Sequence, residues 1–254
     1  MPDYQNILIT GASSGIGEAL ALYYAQNGAQ NLFLCGRSDE RLKKVADSCR
    51  QYGVVVHEEI LDVTDAAKTE KWLLQANKTA PLHLIFANAG VSTTQEIPQN
   101  IRNTFAINVG GVVNTVLPAI EIFKNAPSDQ PKHLVLTASI AGYHGLPACP
   151  SYSATKACVK AWGEALRIDL SKKYNIKVST LAPGFVRSRI TDKNTCPMPF
   201  FMEADVAAKL IAQRINRNVG LIAFPWPMRL GAWFASILPS FISEWLYRKM
   251  PYKV

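Results

Sequence analysis

Several features that would narrow the function at once are missing from this chain. No segment of its 254 residues approaches the roughly 18 uninterrupted apolar residues of a spanning helix. Its five cysteines, odd in number and irregular in spacing, form neither a disulfide framework nor a CxxC metal pattern. They point to a reducing, cytoplasmic setting, and no metal site is expected. The opening Met-Pro-Asp-Tyr-Gln-Asn has no basic region or cleavage site and runs straight into an apolar stretch. Internal repeats and low-complexity linkers are absent. Acid is scarce in one place. Residues 206–254 hold a single carboxylate, Glu244, against Lys209, Arg214, Arg217, Arg229, Arg248, Lys249 and Lys253. That tail supplies six of the eight net positive charges and holds three of the five tryptophans: Trp226, Trp233 and Trp245. Basic, aromatic and apolar residues together fit an acidic surface or a membrane interface better than nucleic acid, and no nucleic-acid partner is expected.

What is present is an alternation of short apolar runs with longer segments of helical period, the mark of βαβ units. Strands are predicted near 6–10, 31–35, 54–58, 82–86, 132–138, 176–181 and 220–224. Helices fill the intervals near 15–28, 39–52, 66–78, 98–124, 151–173 and 203–217. Runs such as LHLIF alternate too little for a sheet with one wet face, so helices should cover both. The expected fold is α/β, a doubly wound seven-stranded parallel sheet in one domain, 1–227, followed by an aromatic and basic extension, 228–254. Residues 187–202, polar and rich in proline, are a candidate mobile loop.

Residues 9–17, ITGASSGIG, lie where a strand ends and a helix opens, the context in which a glycine loop can cradle phosphate. Gly11 permits the tight turn, while Gly15 and Gly17 allow close approach of backbone and helix to a pyrophosphate. The helix start then offers unpaired N–H groups to the anion. The plainer alternative is a glycine turn with Ser14 as an ordinary N-cap. At the end of the second strand, LCGRSDERL places Gly36 where an NAD site carries an acid, and Arg37 follows. A carboxylate there repels a 2′-phosphate, whereas a guanidinium clamps it, so NADP(H) is the expected cofactor. Asp39 and Glu40 fit the first turn of the next helix.

In PSYSATKACVKAW, Tyr152 and Lys156 stand one helical turn apart on one face. An ammonium beside a phenol stabilises the tyrosinate and draws its pKa towards neutrality, which suits proton exchange with a carbonyl oxygen. Ser139, just past the strand in LVLTASIAG, sits at the carboxyl edge where ligands bind, and could bond the same oxygen; its alternative is a cap. Asn108 falls inside a predicted helix. It is either solvent-facing or marks a local break holding a water near Lys156.

Taken together these residues resemble the short-chain dehydrogenase/reductase family in its compact form. The resemblance rests on T-G-x-x-x-G-x-G at 10–17, Asp62 in LDVTD, N-A-G at 88–90, Asn108, Ser139, the Tyr152/Lys156 pair and PGFVRS at 183–188. It covers about residues 5–190 and implies a Rossmann-type fold and a tetrad. In that tetrad Tyr152 is acid and base, Lys156 lowers its pKa and holds the nicotinamide ribose, Ser139 orients the substrate oxygen, and Asn108 holds a relay water. It also implies that Gly11, Ser13, Ser14, Gly15, Ile16, Gly17 and Arg37 bind the cofactor. Asp62 and Val63 would meet the adenine, and Asn88, Ala89 and Gly90 would line the cleft. Pro183, Gly184, Val186 and Ser188 would frame the nicotinamide. The family more often has Thr than Ser at 188, which keeps the hydroxyl. Twelve residues between Ser139 and Tyr152, and three between Tyr152 and Lys156, are similar to carbonyl reductases rather than enoyl reductases. The implied activity is hydride transfer between a carbonyl and a secondary alcohol, by a homo-dimer or homo-tetramer. A non-catalytic nucleotide-binding sensor or scaffold, and a sugar-nucleotide epimerase or dehydratase, are the alternatives.

In the tail, Leu230, Trp233, Phe234, Ile237 and Leu238 repeat at helical spacing up to Pro239, and Phe241, Ile242, Trp245 and Leu246 make a second face. These helices either pack on their own domain or a partner subunit, or touch a membrane peripherally. Ala141, Tyr143, Leu146, Phe185, Phe200 and Phe201 are the expected lining of a hydrophobic, lipid-like substrate site.

Overall fold

The computed structural model describes residues 4–93, 95–192 and 197–248. Seven strands form one sheet: β1 (Asn6–Thr10), β2 (Asn31–Gly36), β3 (Val55–Ile60), β4 (Leu84–Ala87), β5 (His133–Thr137), β6 (Lys177–Pro183) and β7 (Leu221–Phe224). Their order is β3-β2-β1-β4-β5-β6-β7 and every pairing is parallel. The expected doubly wound sheet is therefore the fold.

Each inner strand feeds two cores, because successive side chains leave opposite faces. Ile7 and Ile9 of β1, Leu32 and Leu34 of β2, and Leu84 and Phe86 of β4 point to one side. There they meet α1 (Gly15–Gln26), α2 (Asp39–Arg50) and α7 (Ala204–Asn216) through residues such as Leu20, Leu42 and Ile211. Leu8, Phe33, Cys35 and Ile85 point to the other. They meet α3 (Ala66–Thr79), α5 (Gly111–Asn125) and α6 (Pro150–Tyr174) through Leu73, Val116, Phe123 and Val159. This two-sided burial explains the near-continuous apolar strands.

The segment expected as one helix over 98–124 is broken. An α-helix, α4 (Pro98–Phe105), passes into a π-helical turn at Ala106–Gly110 before α5 begins. Such turns widen the ladder by one residue and are common at functional sites. Just after the turn Gly111 lets the helix pack closely on Val63, whose side chain a Cβ there would run into, and Asn114 Nδ2 donates to Val63 O at 2.8 Å.

The tail forms α8 (Trp226–Ile237) and α9 (Ser240–Tyr247). Met228 of α8 packs against Gly184, where an added Cβ would come within 2.8 Å of its sulfur. Ala235 is buried while most of the large side chains on the opposite side are not. The segment after β6 is tied at both ends of its described part. Val186 bridges Met202, and Arg187 makes a two-pronged pair with Glu203 at 2.5 and 2.9 Å. Residues 193–196 of the expected mobile loop lie outside the described residues.

At the amino edge of the sheet His133 is fully buried between Tyr4 and Ser179. The Ser179 hydroxyl donates to Val219 O at 2.7 Å, so it accepts from His133 Nε2–H at 2.8 Å. Nδ1 is left as the acceptor for the Tyr4 hydroxyl, also at 2.8 Å. Both nitrogens of the neutral ring are satisfied, and burial pushes its pKa down to about 3. The unfolded chain takes up this proton near pH 6.5 but the folded chain does not. Stability is thus whole above pH 6.5 and is lost as pH falls towards 3. Urea unfolding at pH 6.5 and pH 5 should show a fall about 2 kcal/mol larger in the wild type than in His133→Gln, at about 1.4 kcal/mol per unit.

Candidate active site

The sheet order reverses beside β1, and the crevice between the carboxyl ends of β1 and β4 is where an open α/β sheet binds ligands. The Thr10 hydroxyl stitches it. It donates to Phe86 O at 3.1 Å and accepts from the N–H groups of Asn88 at 2.9 Å and Ala89 at 3.1 Å. Gly11 then turns in left-handed backbone (φ +68°), and a Cβ there would lie 2.8 Å from Ala89 Cα. Gly15 (φ +61°) faces Ser188 across the crevice, its imagined Cβ 2.8 Å from that serine's Cβ. Ser14 sits at the N-cap of α1 but makes no side-chain capping bond, so its hydroxyl is not spent on the helix.

The resulting cavity measures about 330 Å³. It is lined by the loop residues Gly11, Ser13, Ser14, Gly15 and Ile16, and by Arg37, Asp62 and Val63 at one end. Asn88, Ala89 and Gly90 form the middle; Ser139, Tyr152, Lys156, Pro183, Gly184, Val186 and Ser188 close the other end. Gly17 does not line it. A side chain there would strike the Gly11 carbonyl and come within 2.7 Å of Asn88 Nδ2, so Gly17 seats the helix on its own loop.

Ser139 caps a 3₁₀ turn at Ile140–Gly142, its Oγ accepting from Ala141 N–H at 3.1 Å and donating to Pro183 O at 3.3 Å. The cap is thus the role it fills here, and the serine also stands close enough to Tyr152 to lower the phenol's pKa. Lys156 is buried, and its Nζ donates to Thr137 O at 2.8 Å while standing 5.7 Å from the centre of the Tyr152 ring. Here the expectation of an acidified phenol needs correction. Burial pushes Tyr152 up to about 12, against a smaller lowering by Ser139, and pulls Lys156 down to about 8. The ammonium is engaged by a carbonyl rather than by the phenol oxygen, and burial is the leading cause of both shifts.

Asn108 is not solvent-facing. It occupies the π-helical turn, fully buried, with Oδ1 accepting from Val91 N–H at 2.8 Å and Nδ2 donating to Val91 O and Thr155 Oγ1. It backs the cavity without lining it. Gly90 separates it from Lys156, since a Cβ there would be 3.2 Å from Nζ and 3.3 Å from Asn108 Oδ1.

A family model described as short chain dehydrogenase matches residues 5–197. The chain belongs to the short-chain dehydrogenase family. It is 36% identical over 245 residues to an uncharacterized oxidoreductase of Myxococcus xanthus, covering 93% of this chain and 94% of that protein. In fold it is similar to a short chain dehydrogenase/reductase of Burkholderia phymatum in complex with NAD, at TM-score 0.82 and 24% identity, covering 96% of each chain. A short-chain dehydrogenase of Sphingobium yanoikuyae in complex with NADPH gives TM-score 0.78 at 24% identity, again over 96% of each.

Two residues of this short-chain dehydrogenase site were not singled out from its sequence. Arg41, in the first turn of α2, lines the cavity beside Arg37, and its Nε is buried with no partner. The signal was a second arginine four residues past the first, in LCGRSDERL. Glu96 is the other. Its carboxylate accepts from Ser151 N–H at 3.1 Å and Ser151 Oγ at 2.8 Å, capping α6 one residue before Tyr152. No local pattern could find it, because the contact spans 55 positions. By contrast, Ala141, Tyr143, Leu146, Phe185, Phe200 and Phe201 do not line this cavity. Tyr143 stacks under Lys160, whose Nζ is 4.8 Å from the ring centre, and Phe201 under Arg187 at 5.2 Å, so two of these rings serve cations instead.

Holding a buried ammonium costs folding energy that an apolar side chain would not. Lys156→Met is therefore expected to raise the thermal midpoint, by about 2–6 °C, while removing turnover; calorimetry beside an activity assay checks both.

Proposed function

We propose that this protein is an NADP(H)-dependent oxidoreductase interconverting a carbonyl and a secondary alcohol, on a hydrophobic substrate. The observation that carries the reading is the convergence of Ser139, Tyr152 and Lys156 on one end of the cavity, with Lys156 Nζ held by Thr137 O at 5.7 Å from the centre of the Tyr152 ring. In this reading Ser139 holds the substrate oxygen and Tyr152 exchanges a proton with it. A phenol titrating near 12 carries its proton at neutral pH, which suits the acid role in carbonyl reduction; the reverse reaction is favoured by alkali. When bound, the nicotinamide nucleotide supplies or accepts the hydride. Asn108 is a positioning residue: it fixes Val91 and Thr155 on either side of the lysine's surroundings. A purely nucleotide-binding role would leave the buried Lys156, with its folding cost, without use.

The residues present fit the phosphorylated nucleotide better than NAD. An acid at position 36 would press on Ser13, since a Cβ on Gly36 lies 3.0 Å from both Ser13 Cβ and Oγ. Arg37 lies 3.9 Å from Asp62, and Arg41 offers a buried donor with no partner, as a phosphate subsite would. The cavity wall also carries Val91 and Ile190, which favours an apolar substrate.

Tyr152→Phe should lower kcat for NADPH-dependent ketone reduction by about 10²–10⁴-fold and leave NADPH affinity nearly unchanged. A fully active variant would overturn the assignment. Arg37→Ala and Arg41→Ala should each weaken NADPH binding by about tenfold in titration calorimetry, with NADH affected by no more than about twofold.

A further inference from the structure

We propose that the outer face of α8, continued by α9, is a docking surface for an anionic lipid bilayer, set beside the mouth of the catalytic cavity. Trp226, Leu230, Trp233, Phe234 and Ile237 repeat along one side of α8, and each is more than half exposed. Phe241 and Trp245 are as exposed on α9. Twelve residues of helix give a stripe about 18 Å long. A patch of that size and character marks a contact surface rather than ordinary solvated protein.

The charge around it selects the occupant. Arg229 is exposed on α8 and Arg248 just past the end of α9, and from Trp226 onward the sequence carries four Lys or Arg against the single Glu244. A second copy laid symmetrically on the same stripe would bring these cations against their equals. Anionic headgroups meet them with opposite charge, while tryptophan rings settle at the headgroup level and the aliphatic chains below it.

Position gives the surface a use. The inner side of α8 packs Met228 on Gly184, in the loop that closes the catalytic end of the cavity, and α8 also rests on the 3₁₀ turn that follows Ser139. One helix thus has the site on one side and the bare stripe on the other. A carbonyl substrate dissolved in the bilayer would enter next to Ser139 and Tyr152 without crossing water. That use rests on the activity proposed above; the binding does not.

The test is flotation of the full chain with vesicles of phosphatidylcholine alone and of phosphatidylcholine mixed with phosphatidylglycerol, without substrate. Trp233→Ser combined with Phe234→Ser is the partner variant, both side chains being exposed. The wild type should float with the anionic vesicles, at least about tenfold less with the neutral ones, and less at high salt. The double variant should partition at least about tenfold more weakly, with thermal midpoint and NADPH affinity unchanged. Absence of flotation, equal flotation on both lipids, or an unaffected variant would overturn the proposal. So would light scattering that shows a wild-type dimer split by the double variant, since a second copy would then cover the stripe. Vesicle binding without ketone reduction would support the surface and overturn the activity alone.

Discussion

The hydroxyl of Thr10 is the small group on which the rest of this molecule is hung. By bonding Phe86, Asn88 and Ala89 it fixes the carboxyl ends of β1 and β4 at the point where the sheet order reverses. The linkage does not stop there. Asn88 Oδ1 accepts from Thr137 Oγ1 at 3.3 Å, and the Thr137 carbonyl accepts from Lys156. A continuous run of hydrogen bonds therefore leads from the glycine loop, across two strand ends, to the lysine beneath Tyr152. The glycine loop and the Tyr152/Lys156 pair are parts of one polar seam, sealed above two apolar cores. Chains of buried bonds of this kind are stiff when fully satisfied, which is what a site needing sub-ångström placement requires.

The seam also explains why the ionisable pair is costly. Tyr152 and Lys156 are both displaced by burial, in directions that disfavour charge on either. The protein spends folding energy to keep an ammonium under a neutral phenol, and the compensation comes from the cores on either face. Glu96 adds a support of its own kind, since its carboxylate fixes the start of α6 from a loop far away in sequence.

Much of this was legible in the residues because strand burial on two faces and the ends of parallel strands leave strong local marks. The apolar runs located all seven strands to within a few positions, and the glycine loop, Arg37, Ser139 and the Tyr152/Lys156 spacing located most of the cavity. What stayed hidden depends on geometry without a local period. The π-helical turn that buries Asn108 is one such feature. The role of Gly17 is another, since its neighbour is its own loop and not a ligand. Phe201, expected around the substrate, shows the same limit, since its apolar character cannot tell a pocket wall from a ring lying under an arginine.

The contact between Gly36 and Ser13 has a consequence for how this site can change. Position 36 and position 13 share one small volume, with an imagined Cβ already at 3.0 Å from the serine. An acid cannot be added at the strand end without the loop giving way, and a smaller residue in the loop gains nothing until the acid arrives. Positions 36 and 13 are therefore coupled: a side chain at 36 fits only as far as Ser13 gives way to it. A glycine at 13 would open that room in advance, so the order in which the two positions change decides whether the strand end accepts a larger side chain.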